Sequence, residues 1–229
     1  GEAWAVIGGV TRKVHFLVVS LPHSDAIYVK AYPAETAEAF CEGHVSAFAF
    51  FGGIPVSILY DNTRLAVAKI LGDGTRKRST LFAALQSHYV FEDRYGRPGK
   101  GNDKGKVEGM VGFARRTFMV PFPRARDFAE LNAMLEDRCR ERQDKILRGA
   151  TATIGARMAA DQAVFDDPPA TPFDACDKRP GRVTSQALVR YKNTDYSVPV
   201  AYAHRDVMVK AYVDDVVITS GADEIARHR

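Results

Sequence analysis

Apolar and polar residues alternate along the first thirty positions in three separate runs. "AWAVIGGV" and "RKVHFLVVS" read as two strands joined across Gly8 and Gly9, and "DAIYVKAY" reads as a third, the pattern of an antiparallel meander. From Glu35 the period changes. Ala37, Phe40, Cys41, His44, Val45 and Phe48 fall at the i, i+3, i+4, i+7 spacing of an amphipathic helix, which Gly52 and Gly53 end. Such a helix covers one face of the sheet. "VSILYDN" follows as a short, nearly all-apolar run, the signature of a strand buried on both faces, with Asp61 at its carboxyl end.

The pattern then predicts a short strand over 65–70, a Gly72/Gly74 turn bearing the basic cluster Arg76, Lys77 and Arg78, a helix from Ser79 to His88, and an extended "YVFEDRY". A glycine-rich loop over 96–105 leads to a helix from Lys106 to Met119, with Val107, Met110, Val111, Ala114 and Phe118 facing inward and Glu108 beside them. Pro121 and Pro123 stop it, and helical periodicity resumes over 127–147. Strands followed by helices in this order suit a mixed α/β layer fold. A short helix over 151–162 and the stretch "DDPPATPFDACDKRPGR" read as a connector. Short alternating runs beyond it predict a small antiparallel barrel. The expected organisation is a core over 1–148, a connector over 149–182 and a barrel over 183–229.

Composition narrows the class. At 229 residues, with 46% hydrophobic and 26% charged side chains, the chain can bury one or two substantial cores. Its longest apolar stretch is broken by Gly52, Gly53 and Pro55, short of the ~20 residues that a membrane helix needs. Residues 1–20 lack the layout of a secretory signal. Cys41, Cys139 and Cys176 form no CxxC pair, which argues against a zinc knuckle or disulfide framework and for a reducing cytoplasm. The net charge of +4 is concentrated: residues 64–126 hold 14 Lys/Arg against 5 Asp/Glu. A local excess of that size attracts polyanions, although a solvated basic face has the same composition.

Common catalytic motifs fail on spacing. A P-loop needs GxxxxGK[ST], but Lys100 stands five residues before Gly105 and Val107 follows Lys106; Gly99, Gly101 and Gly105 do not fit GxGxxG. The six histidines form no HExxH or HxH pattern, and His44 on an apolar helix face reads as a satisfied core residue. Asp61 at a strand end and Glu108 near a helix start remain. Two carboxylates converging on rigid elements can share Mg²⁺ or Mn²⁺ for two-metal chemistry on phosphodiesters, and Arg115, seven positions after Glu108, lies on the same helix face. Spacing equally allows Asp61 to cap a turn with Asn62, and Glu108 to balance Lys104 or Arg115.

The blocks "GEAWAVIGGVTRKVHFLVVS", "ILYDNTRLAV", "LQSHYVFEDRYGRPGKGNDKGKVEG" and "LVRYKNTDYSVPVAY" resemble the IstA-type transposases of bacterial insertion sequences, over essentially the whole chain. The resemblance implies a DDE enzyme with a ribonuclease-H-like mixed sheet and flanking helices, followed by a small C-terminal β-barrel. It implies that Asp61 and Glu108 are catalytic, metal-binding carboxylates of a two-metal Mg²⁺ or Mn²⁺ site. It also implies that Arg76, Lys77, Arg78, Lys100, Lys104, Lys106 and Arg115 contact DNA. Cleavage of transposon ends and strand transfer into target DNA would follow, by a homo-oligomer on DNA with an AAA+ ATPase helper, in a bacterial, nucleoid-associated setting without a membrane. The family's first catalytic aspartate is expected just before Gly1, so these 229 residues alone are expected to be inert, and Glu2 is a poor substitute by strand alternation. A non-catalytic nucleic-acid-binding module and an assembly module stay open as alternatives.

Overall fold

The computed structural model describes the backbone of residues 1–60, 67–70, 76–95 and 101–229; within these, the side chains of 67–70, 76–78 and 101–108 are outside the description. The described residues form a mixed α/β structure in two compact units, Gly1–Phe173 and Asp174–Arg229.

In the first unit β1 (Glu2–Ile7), β2 (Val10–Ser20) and β3 (Ile27–Tyr32) form the expected antiparallel meander. Gly8 and Gly9 make its first turn with φ of 58° and 82°, a region that glycine enters without steric cost. The helix α1 (Ala37–Phe51) starts where the Thr36 hydroxyl accepts from the Ala39 N–H and stops at left-handed Gly52. There follow β4 (Ser57–Tyr60), β5 (Val67–Ile70), β6 (Arg76–Arg78), α2 (Thr80–Tyr89), β7 (Glu92–Tyr95), α3 (Gly101–Phe118), β8 (Arg124–Ala125), α4 (Phe128–Gln143) and α5 (Ile154–Gln162). The main sheet runs β3-β2-β1-β8, with β8 parallel to β1.

Strand alternation decides what each sheet face meets. Ile27, Val29 and Ala31 of β3 join Ala114 and Phe118 of α3 and Leu135 of α4 in one core. On the other face Tyr28 packs with Ala47 and Phe51 of α1, and Ile154 and Met158 of α5. There Lys30 donates to Glu42 at 2.6 Å and to Ser46 at 2.9 Å, and Tyr32 donates to Glu42. Burial works against the Glu42 charge, but the bonds from Lys30, Tyr32 and Ser46 outweigh it and hold the carboxyl below the usual range.

Three expectations change. "VSILYDN" does not give a strand buried on both faces: β4 pairs in parallel with β7 alone among the described residues, and Leu59 is 47% exposed. Only Tyr60 of the strand is buried. The glycine-rich stretch is helical from Gly101 rather than from Lys106. Arg115 and Arg116 in its last turn complement the helix dipole, which offsets part of the glycine cost of roughly 1 kcal/mol each. Arg76, Lys77 and Arg78 are not in a turn but form β6, antiparallel to β5. Of the strand expected over 65–70, residues 65 and 66 lie outside the described residues.

The second unit is all β apart from one helical turn at Val200–Tyr202. Its strands are β9 (Asp177–Arg182), β10 (Leu188–Tyr191), β11 (Thr194–Ser197), β12 (Asp206–Ala211), β13 (Val216–Ser220) and β14 (Asp223–His228). A four-stranded antiparallel sheet, β14-β13-β12-β9, and a β10-β11 hairpin share a core of Val189, Tyr191, Val207, Val209 and Ile218. Asp174 is a polar hub here. It accepts from Tyr212 at 2.7 Å and pairs with Lys178 at 2.9 Å and Lys210 at 3.2 Å. Burial raises its pKa, but these bonds outweigh that and pull it down to about 2.

Candidate active site

The sequence points to three places: the start of β1, the end of β4, and α3. At the end of β4, Tyr60 is buried and directly precedes Asp61. Its hydroxyl lies 3.0 Å from His44 Nε2, and His44 Nδ1 lies 2.7 Å from the Phe40 carbonyl. A carbonyl cannot donate, so Nδ1 carries the proton and Nε2 accepts from the tyrosine. Burial lowers the His44 pKa to about 4, opposed by the Phe40 bond, and raises that of Tyr60. The neutral form of both groups is therefore favoured. Phe40 and Phe82 close around the pair, with ring centroids 5.9 Å and 5.3 Å from that of Tyr60.

Helix α3 seats against the start of β1. A Cβ added to Gly1 would meet Val111 Cγ1 at 2.7 Å, and Arg115 Nε donates to the Glu2 carbonyl at 2.9 Å. Further along, the Arg142 guanidinium of α4 lies 4.4 Å from the Phe113 ring centroid, and Arg138 donates to the Phe118 carbonyl at 2.5 Å, capping the end of α3. Glu108 lies on this helix, one turn before Val111 and two before Arg115. The Glu2 carboxylate belongs to other partners. It pairs with Lys13 at 2.5 Å, and the hydrogen bond from Lys13 lowers its pKa.

Asp61 and Lys100 lie outside the described residues. Arg76, Lys77 and Arg78 are on β6, and Lys104 and Lys106 join Glu108 on α3. Arg115 is exposed, with its Nε committed to β1. Among the described residues no group of three or more His, Cys, Asp or Glu could hold a metal ion. No helix among them is long and apolar enough to cross a membrane. The Tyr60–His44 bond was not foreseen from the sequence. Its one sequence signal is a histidine on an otherwise apolar helix face, which marks a polar partner without naming it.

Comparison with known proteins adds the family. The family description "Mu transposase, C-terminal domain" matches residues 168–229. A transposase of Aminobacter aminovorans is 36% identical over 228 residues, covering 100% of this chain and 45% of that protein. The transposase for insertion sequence element IS21 of Pseudomonas aeruginosa is 33% identical over 231 residues, covering 100% of this chain and 59% of that protein. This chain thus spans about half the length of the curated relatives it matches. The cryoEM structure of a simian T-cell lymphotropic virus intasome in complex with PP2A regulatory subunit B56 gamma covers 98% of this chain and 73% of that chain. Its TM-score of 0.48 and 12% identity are too loose to assign a fold. These matches run over the whole of this chain and show that it belongs to the insertion-sequence transposases.

Proposed function

We propose that this chain is the catalytic core and following β domain of a DDE transposase, which cuts the ends of an insertion sequence and joins the exposed 3′-hydroxyls to target DNA. The core is read as ribonuclease-H-like and the second unit as a small barrel. The observation that supports this reading is the seating of α3 on the start of β1, through Val111 opposite Gly1 and Arg115 on the Glu2 carbonyl. Helix α3 carries Glu108, and β1 is the strand before which the resemblance expects the first aspartate.

Carboxylate oxygens are the hard donors that Mg²⁺ and Mn²⁺ prefer, so the chemistry of Asp61 and Glu108 fits a two-ion site that would stabilise charge on the attacking and leaving oxygens. Arg76, Lys77, Arg78, Lys100, Lys104, Lys106 and Arg115 would draw the phosphodiester backbone to the site and orient it for in-line displacement. A homo-oligomer on DNA, an AAA+ helper and a cytoplasmic, nucleoid-associated setting belong to the same proposal.

The test is cleavage and strand transfer by a polypeptide extended upstream of Gly1. Asp61→Asn or Glu108→Gln should abolish both reactions and leave DNA affinity nearly unchanged, because each removes a metal-ligand charge without touching the basic surface. More than trace activity in either variant would overturn the assignment.

A further inference from the structure

One face of the main sheet is covered along β2 and β3 and open along β1 and β8. Ala3, Ala5 and Ile7 of β1 and Ala125 of β8 point into the core shared with α3 and α4. Trp4 and Val6 therefore project from the opposite face, and Arg124, paired with Val6, projects with them. On that side helix α1 packs against β2 and β3, where Gly43 seats on Leu17. Trp4 is left 49% exposed. The ladder continues one residue before β8, where the Pro123 carbonyl accepts from the Val6 N–H at 2.9 Å. Pro123 is buried and Phe122 is 52% exposed, and the parallel register carried back two residues sets Phe122 beside Trp4.

A single exposed aromatic side chain needs no explanation, but two on neighbouring strands, each beside a cation, do. Lys13 stands directly opposite Trp4 on β2, and Arg124 lies two residues from Phe122. Glu2 matches Lys13 at 2.5 Å, whereas Arg124 is exposed and forms no ion pair among the described residues, so the face carries a net positive charge. The centre of a protein–protein interface is depleted of charge. An open aromatic ring with a cation at its side instead suits a nucleobase stacked on the ring and its phosphate held alongside. A base offers its face to a side chain only when it is unpaired, because duplex bases cover one another. We infer that Trp4 and Phe122 form a stacking platform for the bases of unpaired DNA, with Arg124 holding an adjoining phosphate. The inference rests on DNA being the substrate, as under the proposed function. The platform lies on the strand against which α3 is seated: Trp4 is two residues from Glu2, whose carbonyl accepts from Arg115.

Trp4 is the one tryptophan among the 229 residues, so its own fluorescence reports the test. The chain would be titrated with oligothymidylate of about 12 nucleotides, a span typical of such sites, and with a blunt duplex of the same length. The single strand should quench the tryptophan emission, and the duplex should bind without quenching it. Trp4→Ala and Phe122→Ala should each weaken single-strand affinity roughly five- to a hundredfold, the worth of one stacked base, and leave duplex affinity within about twofold. Trp4→Phe, which keeps a ring, should retain most of the affinity, and Arg124→Gln should lower the single-strand salt slope by ~0.7. Both aromatic side chains are half exposed, so the variants should unfold at the wild-type temperature, and the quenching of the unaltered chain needs no variant at all. Emission unchanged at saturating single strand, or wild-type single-strand affinity in Trp4→Ala, would overturn the inference. So would a blue shift of the emission with rising protein concentration and no DNA, which would make the face a contact between copies of the chain. Asp61→Asn should bind the single strand as the unaltered chain does; cleavage by that variant would overturn the catalytic assignment and leave the platform standing.

Discussion

His44 sits where the amphipathic pattern of α1 calls for an apolar side chain, and its acidity follows from that place. Burial drives its pKa down to about 4, with the Phe40 carbonyl bond opposing, from the ordinary value of 6.5. Tyr95, Asp93 and Cys41 act on Tyr60 only as smaller causes that raise its pKa further, so burial stays dominant there as well. In the unfolded chain His44 takes up a proton as pH falls through about 6.5, whereas in the folded chain it resists until about 4. Its depressed folded pKa therefore contributes stability that is fully present above 6.5 and is lost as pH falls toward 4, on the order of 3 kcal/mol in total. Urea midpoints measured between pH 4 and pH 7 should fall on acidification, and His44→Gln should flatten that dependence. Parallel profiles for the two proteins would mean that His44 titrates as a solvated histidine does. The Glu42 carboxyl also has a lowered pKa, and its contribution is lost at lower pH than the start of the histidine window.

At the scale of elements, the edge strand β3 shows what periodicity reveals and what it omits. Alternation in "DAIYVKAY" gave the strand and its two faces, but nothing local announces how its edge is closed. Asn132 of α4 does this: its Oδ1 accepts from the Ala31 N–H at 2.7 Å and its Nδ2 donates to the Ala31 carbonyl at 3.0 Å, across 101 positions of chain. Among the described residues no strand pairs with this edge of β3, and the amide takes that place beside Ala31, which is 1% exposed. Asn132→Ala should cost about 1–3 kcal/mol in urea unfolding, the penalty for stranding buried polar groups, against a few tenths for Asn→Ala at an exposed helix site. A loss no larger than the exposed-site value would show that water replaces the amide. The same limit explains the other departures. Helix α2 stops at Val90 with a φ of 58°, a conformation that a β-branched residue enters only under tertiary constraint, so no residue type marks the stop. Glycines at 101 and 105 signal a loop by propensity, yet the backbone there is helical. Of the site, "YDN" and "GNDKGKVEG" marked Asp61 and Glu108 through resemblance, while the side chains that brace β4 and α3, His44 and Arg115, meet partners that spacing cannot supply.

Over the whole molecule, charge separates residues 64–126 of the first unit from the second unit in a way that composition alone only half shows. Residues 64–126 hold 14 basic and 5 acidic side chains, whereas residues 174–229 hold 9 and 8. In the second unit much of the basic charge is already matched: Lys178 and Lys210 by Asp174, Arg179 by Asp177, Arg190 by Asp195, and Arg227 and Arg229 by Asp215. A cation paired with a carboxylate neutralises little additional phosphate charge, so it releases few counterions from DNA, and a cation in an unbalanced region releases nearly one. The salt dependence of DNA binding should therefore reside in the first unit. Replacing Arg76, Lys77 and Arg78 together by glutamine should reduce the slope of log affinity against log salt by ~0.9 for each phosphate contact, roughly 2.7 in all. Replacing Arg179, Arg190 and Arg229 by glutamine removes the same formal charge, but should change the slope by less than about one contact's worth. Titrations of a labelled duplex from 50 to 200 mM salt measure both. The reverse ranking would place the phosphate contacts on the second unit and leave β6 as a solvated strand, and equal losses would mean that the ion pairs open when DNA arrives.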